Sequence, residues 1–160
     1  MANRGQREEG ALAAALVGNS FLHAHVKPGK QALAEPEKVV CNPPHLVTDS
    51  IALDDDAYAR HADEQSEPRW DYWLGTADAA MPMVGIEVHP VTPHEVALLV
   101  RKKSWAETKA DSELKRGRKS IRAWFWVASG KTALSVNTRE YRQMVKAGIV
   151  LAGGCLRLPR

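Results

Sequence analysis

The stretch MVGIEVHPV, residues 83–91, alternates aliphatic side chains with small or polar ones. Its aliphatic positions are Val84, Ile86 and Val88, and the intervening positions are Gly85, Glu87 and His89. A period of two is typical of a β-strand, because successive side chains point to opposite faces of a sheet. We therefore predict a strand with one apolar face and one face that carries a carboxylate and an imidazole. A carboxylate on a largely buried strand requires a compensating charge or hydrogen bonds.

The chain has the composition of an ordinary globular domain. It contains 160 residues, of which 44% are hydrophobic and 26% charged, so we expect a single domain over residues 1–160. No stretch approaches a membrane span of about 20 apolar residues, and we expect no membrane partner. Cys41 and Cys155 are too few and too far apart to suggest a disulfide framework or a metal site. We interpret them as free thiols of a cytoplasmic protein.

Charge is distributed unevenly along the chain. Residues 1–100 contain 7 Lys or Arg and 15 Asp or Glu, a net charge of −8, whereas residues 101–160 contain 15 and 4, a net charge of +11. This division indicates an acidic region and a basic region that faces a polyanion. The alternative is two oppositely charged surfaces that only keep the protein in solution.

Local signals predict a core over residues 50–130 behind an irregular N-terminal part, residues 1–45, in which prolines recur. A helix is expected in the acidic stretch that ends at Pro68, because aspartates suit the first turn of a helix. The aromatic-rich residues 69–75 are expected to form a strand, followed by a turn and the strand at residues 83–90.

A helix with clear start signals is expected after that strand. Thr92 suits the N-cap, Pro93 the first helical position, and Glu95 the third position of a capping box. The buried stripe of this helix is expected to consist of Val96, Leu99 and Val100.

An apolar run at 121–130 predicts another strand. A further helix is expected to end at Gly148, before two short terminal strands, and to have one face formed by Tyr141, Met144 and Val145. This order predicts an α/β (α+β) fold with a mixed central sheet flanked by helices.

The two central strands predict a close pair of acids. If residues 69–75 and 83–90 form an antiparallel hairpin centred near position 79, Asp71 faces Glu87, with Cβ atoms roughly 5 Å apart. Two facing carboxylates repel each other, and a divalent cation bound by oxygen ligands would relieve that repulsion. The alternative is a register shifted by one residue, which leaves Asp71 in solvent. Asp55 and Glu64 are weaker candidates for a further carboxylate, and solvated acids are the alternative for both.

These residues resemble the PD-(D/E)XK nuclease superfamily, which has an Asp on one strand and an acid-x-base tripeptide on the next, before a helix and another strand. The resemblance covers residues 50–130 and implies a restriction-endonuclease-like core that hydrolyses phosphodiesters, with Mg²⁺ or Mn²⁺ held by Asp71 and Glu87. The segments RWDYWLG, VGIEVHPV, VRKKSW, WFWVASGK and KAGI are also similar to those of a small group of bacterial proteins, a likeness that carries no activity with it.

The tripeptide departs from the superfamily at its third position, where His89 replaces the usual lysine. In the superfamily that lysine stabilises the phosphate or assists the attacking water, and in some members it lies on the following helix, as Lys102 and Lys103 do here. Lys103 falls on the same helical stripe as Leu99, so it either extends past the apolar side chains to solvent or reaches the phosphate. Lys102 is the neighbouring candidate. His89 is a candidate base or metal ligand, with a structural imidazole as the alternative.

The basic second half supplies candidate contacts to a nucleic-acid backbone. These residues are Lys115, Arg116, Arg118, Lys119 and Lys131. A solvated loop and a plain turn are the alternatives for them. Trp124 and Trp126 are expected on one strand face and Phe125 on the other, either packed in the core or, if a tryptophan is exposed, stacked on a base.

Together these patterns favour a metal-dependent nuclease in which Asp71 and Glu87 hold Mg²⁺ or Mn²⁺, with His89, Lys103 or Lys102 acting on the phosphate. The alternative is a catalytically inactive relative that binds nucleic acid or a protein partner. The missing strand lysine favours the alternative, and the two acids favour the enzyme.

Overall fold

The predicted strand at residues 83–91 lies inside a six-stranded mixed sheet in the computed structural model, which describes residues 8–159. The strands are β1 (Lys27–Pro28), β2 (Val39–Cys41), β3 (Val47–Ala52), β4 (Tyr72–Thr76), β5 (Met83–Val91), β6 (Ala123–Thr132), β7 (Ile149–Gly153) and β8 (Leu156–Leu158). The order in the main sheet is β1-β3-β4-β5-β6-β7, and β2 pairs with β8 separately. Strands β1, β3, β4 and β5 pair antiparallel, whereas β5, β6 and β7 pair parallel. The predicted mixed α/β fold is confirmed.

Within residues 8–159, three α-helices accompany the sheet. They are α1 (Ala11–Ala15), α2 (Val96–Glu113) and α3 (Arg139–Lys146). Shorter 3-10 turns cover Phe21–His25, Pro36–Lys38, Ala62–Glu64, Pro93–Glu95 and Gly117–Ser120. Among residues 8–159, none of the helices combines the length and apolar character needed to cross a membrane.

The hairpin of β4 and β5 has the predicted register. Tyr72 pairs with Ile86 and Leu74 with Val84, so opposed residue numbers sum to 158. This prediction is confirmed, and the alternative of a shifted register is wrong. The alternation of side chains set the register, because a slip of one residue would move the aliphatic set to the other face.

The two faces of the sheet are covered by different parts of the chain. On one face, Trp73, Met83 and Trp124 pack against α1 and α2, and α3 covers the same face further along. On the other face, Ile86 and Phe125 pack against residues 33–47 and β8. Residues 1–7 of the predicted irregular N-terminal part lie outside the described residues, and the rest of that part contains only short elements.

The tryptophans of β6 pack in the core. Trp124 and Trp126 lie on the helix face and are buried, and Phe125 lies on the opposite face. The predicted distribution of these rings is confirmed. Because both indoles are buried, they serve packing and do not offer a surface on which a base could stack.

Helix α2 makes the crossover that parallel β5 and β6 require. It starts after a 3-10 turn, Pro93–Glu95, and buries Val96 and Leu99, as predicted from its stripe. The predicted capping box is wrong: Thr92 precedes the turn but makes no side-chain cap, and the carboxylate of Glu95 contacts His89. The 3-10 geometry of the first turn replaces the cap, as is frequent at helix N-termini.

The acidic stretch before Pro68 does not form the predicted α-helix. Residues Leu53–Ala57 form one π-helical turn, and Ala62–Glu64 form a 3-10 turn. The Gln65 side chain donates to the carbonyls of Ala59 and His61, which a continuing helix would use for its own bonds. Asp54 accepts from Arg69, and Glu64 accepts from Lys109 of α2. These partners outside the stretch, together with the Gln65 bonds, outweigh the favourable placement of aspartates.

Helix α3 and the terminal strands agree with the sequence prediction except at one position. Thr138 caps α3 by accepting a hydrogen bond from the Tyr141 backbone N–H, and Gly148 follows it with a φ of +77°. Met144 is buried, but Val145 is 54% exposed, so its predicted place on the buried face is wrong. An eight-residue helix at the sheet margin covers the core with a narrow stripe only.

Gly85 is required because β5 and β6 approach closely there. A β-carbon at Gly85 would lie 2.7 Å from Cζ3 of Trp124 and closer still to Cε3. The Trp124 ring stands edge-to-face against Trp70, with centroids 5.1 Å apart, and cannot easily move. We expect Gly85→Ala to lower the free energy of unfolding by about 2 kcal/mol through overpacking, measured by urea denaturation.

Gly130, near the exposed end of β6, provides the matched control. No atom lies within 4 Å of a β-carbon built there, so Gly130→Ala should change the free energy of unfolding by less than about 0.5 kcal/mol. Equal effects of the two substitutions would contradict the close approach of Gly85 and Trp124.

Candidate active site at the ends of β4 and β5

Asp71 and Glu87 lie together where the hairpin opens. The Asp71 backbone N–H donates to Glu87 Oε2 at 3.0 Å, and the Val88 N–H donates to Asp71 Oδ2 at 3.0 Å. Each acid is thus bound to the backbone of the opposite strand, one step beyond the last ladder pair. Glu87 is completely buried, and Asp71 is partly exposed. The predicted approach of the two acids on one sheet face is confirmed.

Lys102 provides the positive charge at this site. It lies on α2 between the buried residues Leu99 and Ala106, so its turn of the helix faces the sheet. Its ammonium donates a hydrogen bond to Glu87 Oε1 and forms an ion pair with it. The side chain is only 12% exposed, and the charge that compensates Glu87 therefore comes from the helix crossing over the strand.

Lys103, the first candidate from the helical stripe, is not brought to the carboxylates. Its Nζ donates to Glu107 Oε1 at 2.7 Å, one helical turn further on, and lies 5.3 Å from the centroid of the Trp124 ring. The stem crosses the apolar surface and the ammonium finds a partner at its margin, which agrees with the expected extension past the apolar side chains.

His89 lies on the same face as Glu87, at the margin of the site. Its Nε2 is 2.8 Å from Glu95 Oε2, and its Nδ1 is 3.9 Å from Glu87 Oε1. The Trp126 indole N–H donates to the His89 carbonyl at 3.1 Å. This bond fixes the backbone of β5 at the residue that carries the imidazole. The predicted shared face of Glu87 and His89 is confirmed. A quarter of the imidazole surface remains exposed.

Glu95 is the site residue that the sequence pattern missed. Its position three residues after Thr92 suggested a cap, whereas the 3-10 turn returns its carboxylate to His89. The available signal was Pro93, which begins a tight turn straight after the strand and brings the acid back towards the strand end.

Burial raises the pKa of both acids. Burial raises the pKa of Asp71 to about 6, against the opposing effect of Lys102, and the charges of Asp54 and Asp55 add to the rise. Burial also raises the pKa of Glu87, as does the charge of Asp71, and Lys102 again opposes the rise. Burial alone would lower the pKa of Lys102, but Glu87 and Asp71 outweigh it and the net pKa is raised. Lys102 therefore stays protonated, and burial together with mutual repulsion disfavours ionisation of both acids at once.

The donor set fits a hard divalent cation held by few protein ligands. Within residues 8–159 there is no cluster of three or more His, Cys, Asp or Glu side chains suited to a metal, so a cage built only from protein groups does not fit. Mg²⁺ characteristically uses one or two carboxylates and completes its shell with water and substrate phosphates. Asp71 and Glu87 are two such carboxylates. When both are ionised, Lys102 neutralises only one of their two charges.

The weaker acidic candidates lie outside this contact network. Glu64 accepts from Lys109 and from the Trp105 indole N–H, which places it beside the second half of α2 and away from Glu87. Asp55 acts on Asp71 through its charge.

The predicted nucleic-acid contacts divide between the two ends of the sheet. Lys131 follows Ala128, which pairs with His89, and so lies at the end that carries the acids. The segment of residues 115–119 precedes β6 and lies at the opposite end. Two of its cations are engaged within the protein: Lys115 donates to the Ala14 carbonyl at 2.9 Å, and Arg118 pairs with Asp111 at 2.6 Å. The other two, Arg116 and Lys119, line a cavity.

Comparison of the chain with protein-family models, with curated proteins and with solved structures finds no match. The function of the site is therefore argued from its own residues.

The raised pKa values predict a pH dependence of stability. Because the folded-state pKa of Asp71 lies above its unfolded value, its contribution is fully present below about pH 4 and is lost as pH rises through about 6. Asp71→Asn removes this titration while keeping an oxygen that accepts from the Val88 N–H. We expect wild type to lose roughly 2 kcal/mol more than Asp71→Asn between pH 4.5 and about pH 8, measured by urea denaturation across that range.

Asp63, an exposed aspartate on the 3-10 turn before Pro68, offers the control. Asp63→Asn should follow the wild-type pH dependence. Parallel curves for wild type and Asp71→Asn would show that burial of the acid pair does not govern the pH response.

Proposed function

We propose that this protein is a divalent-metal-dependent phosphodiesterase that cleaves nucleic acid. The observation that carries the proposal is the meeting of Asp71, Glu87 and Lys102 from two strands and the crossover helix, with one ammonium against two carboxylates. Two acids and a lysine suit a metal-assisted phosphoryl hydrolysis, since the acids can hold the cation and the lysine can act on the phosphate.

Asp71 and Glu87 would hold Mg²⁺ or Mn²⁺. When bound, such a cation polarises the phosphate and lowers the pKa of a coordinated water. The protein contributes a pair of oxygen ligands fixed by backbone hydrogen bonds across the hairpin, so their separation is set by the sheet and not by flexible loops.

Lys102 supplies positive charge for the developing phosphorane. Its long stem lies against apolar residues of α2, and only the ammonium contacts the acids. Displacement of the ammonium from Glu87 to a phosphate oxygen exchanges one anionic partner for another, and the buried charge remains paired throughout.

His89 is placed to move a proton. The bond to Glu95 orients the ring and leaves Nδ1 on the side of Glu87. A partly exposed imidazole held in this way is placed to accept a proton from water. Glu95 acts through the imidazole and is therefore a positioning residue.

Nucleic acid is the proposed substrate because of the charge distribution. Residues 101–160 carry a net charge of +11, and Lys131 lies at the end of the sheet that carries the acids. Cationic side chains near a phosphodiester-cleaving site bind the backbone and raise the rate of encounter.

The second candidate is a non-catalytic protein that binds nucleic acid or a protein partner. One observation favours it: the Lys102 ammonium already neutralises Glu87, and its ion pair occupies one of the carboxylate oxygens that a cation would use. In the non-catalytic protein, this buried ion pair would have a structural role alone, which is to specify how α2 packs on the sheet.

Metal binding by the acid pair distinguishes the proposed enzyme from the non-catalytic protein. Millimolar Mn²⁺ should raise the melting temperature of the wild type, because a cation relieves the repulsion of Asp71 and Glu87; a ligand at 100 times its dissociation constant adds about 2.7 kcal/mol. Asp71→Asn should show no such rise. Scanning calorimetry that finds equal responses in both proteins would remove the acid pair as the metal site.

Lysine substitution tests the chemistry. Lys102→Met keeps the apolar stem and removes the ammonium, and it should reduce Mn²⁺-dependent cleavage by at least about a hundredfold. Lys103→Met, which disrupts the pair with Glu107 instead, should cleave at close to the wild-type rate. The measurement is single-turnover cleavage of single- and double-stranded DNA and RNA, with circular dichroism as the check on folding.

The same assay decides against the enzyme if the wild type cleaves none of these substrates. Binding without cleavage, with an affinity that falls steeply as salt rises, would instead support the non-catalytic candidate.

A further inference from the structure

A cationic cavity lies at the opposite end of the sheet. Its volume is about 250 Å³, and Arg116, Lys119 and Arg122 line it together with Ser120. Its apolar wall includes Met83 and Pro82. Met83 starts β5, four residues before Glu87, so this cavity is about 13 Å along the strand from the acid pair.

The three cations have no counter-charge within the described residues. Among residues 8–159, the ion pairs do not include Arg116, Lys119 or Arg122. Three like charges on one small cavity repel each other, and an anion placed among them would relieve that repulsion. The neighbouring cations differ, because Arg118 is bound to Asp111 and Lys115 to the Ala14 carbonyl.

The loop that carries the cations is held in place before any ligand arrives. Asp111 accepts from the Arg118 backbone N–H at 2.9 Å and from its guanidinium at 2.6 Å. Gly117 permits the turn with a φ of +60°. The Lys115 N–H donates to the Ala15 carbonyl at 2.9 Å, which ties the loop to α1. A loop backbone that is already fixed loses little entropy when a ligand binds.

Arg122, the third cationic residue of the cavity, is also fixed through its backbone. The Arg122 N–H donates to the Met83 carbonyl at 2.9 Å, where β6 begins beside β5. The loop, the end of α1 and the turn between β4 and β5 are therefore joined by backbone hydrogen bonds around one cavity. Its position is set by the sheet and does not depend on the arrangement of the acid site.

We infer that this cavity binds the phosphate monoester of a nucleotide or of a nucleic-acid terminus. A monoester carries a charge of about −1.5 to −2 at neutral pH and offers three acceptor oxygens, which suits three cations and a hydroxyl. The cavity is smaller than the roughly 300–1,000 Å³ of typical small-molecule sites, so it accommodates a phosphate and the atoms next to it. Met83 and Pro82 supply apolar contact for those atoms. This inference does not depend on the proposed function.

Calorimetric titration without divalent metal tests the inference. The probes are inorganic phosphate, 5′-AMP with adenosine as its unphosphorylated match, and a short single strand with either a 5′-phosphate or a 5′-hydroxyl. We expect saturable binding of 5′-AMP and at least about tenfold weaker binding of adenosine. Preference for the 5′-phosphorylated strand over 5′-AMP identifies a nucleic-acid terminus as the source, and the reverse preference identifies a free nucleotide.

Charge-matched variants locate the site. The triple variant Arg116→Gln, Lys119→Gln and Arg122→Gln should weaken 5′-AMP binding by about a hundredfold. The control removes three exposed cations from α3, through Arg139→Gln, Arg142→Gln and Lys146→Gln. It has the same net charge and should bind within about twofold of wild type.

Ala80→Phe tests the cavity without changing any charge. Ala80 is an exposed residue of the cavity wall, and a phenyl ring there should fill the space and weaken binding. Equal losses in the two triple variants, equal affinity for 5′-AMP and adenosine, or no saturable binding by the wild type would each overturn the inference. None of these outcomes bears on cleavage at the acid site, because no metal is present.

Discussion

The buried carboxylate of Glu87 is the constraint on which the arrangement of the central elements depends. A buried charge is unfavourable unless it is paired and hydrogen-bonded. Glu87 meets this requirement through the Asp71 backbone N–H, from the neighbouring strand, and through the Lys102 ammonium, from the helix that crosses over. The same side chain therefore joins β4, β5 and α2. Any rotation of α2 that withdrew Lys102 would leave the charge unpaired, and removal of one partner from a buried pair is strongly destabilising.

The topology places two sites of opposite charge at the two ends of the strand pair formed by β5 and β6. The end where Glu87 and His89 lie carries the acids, and the end where Met83 pairs with the start of β6 carries Arg116, Lys119 and Arg122. The acidic first half and basic second half of the chain therefore do not form two simple charged faces. The acids meet on a hairpin that belongs to the first half. Lys102, from the start of the basic half, is carried to them by the crossover helix.

The surroundings of His89 explain how an imidazole is held at this position of β5. Lysine at this position would be a second ammonium close to Lys102. The imidazole instead lies between two carboxylates, with Nε2 on Glu95 and Nδ1 facing Glu87. Lys102 and His89 thus bring an ammonium and an imidazole to the same buried carboxylate.

Several features followed from the sequence alone because they are local. The alternation in residues 83–91 and the short connection to β4 determined the hairpin register, and hence the meeting of Asp71 and Glu87. The opposite faces of Trp124 and Phe125 followed from the same period of two. The wrong predictions, at the acidic stretch before Pro68 and at the cap by Thr92, occurred where acids bind partners that propensity does not record: Glu64 accepts from Lys109 of α2, and Glu95 contacts His89.

Only the tertiary structure decided which groups complete the acid site. Successive helical residues differ by about 100°. The helical stripe favoured Lys103 as the first candidate, but the packing of Leu99 and Ala106 on the sheet set a rotation of α2 that brings Lys102 to Glu87. Glu95 reaches His89 because a 3-10 turn, not an α-helical one, follows Pro93. The sequence determined the strands and their register through local alternation. The contacts between helix and sheet depend on how separate elements pack, and no local pattern encodes that geometry.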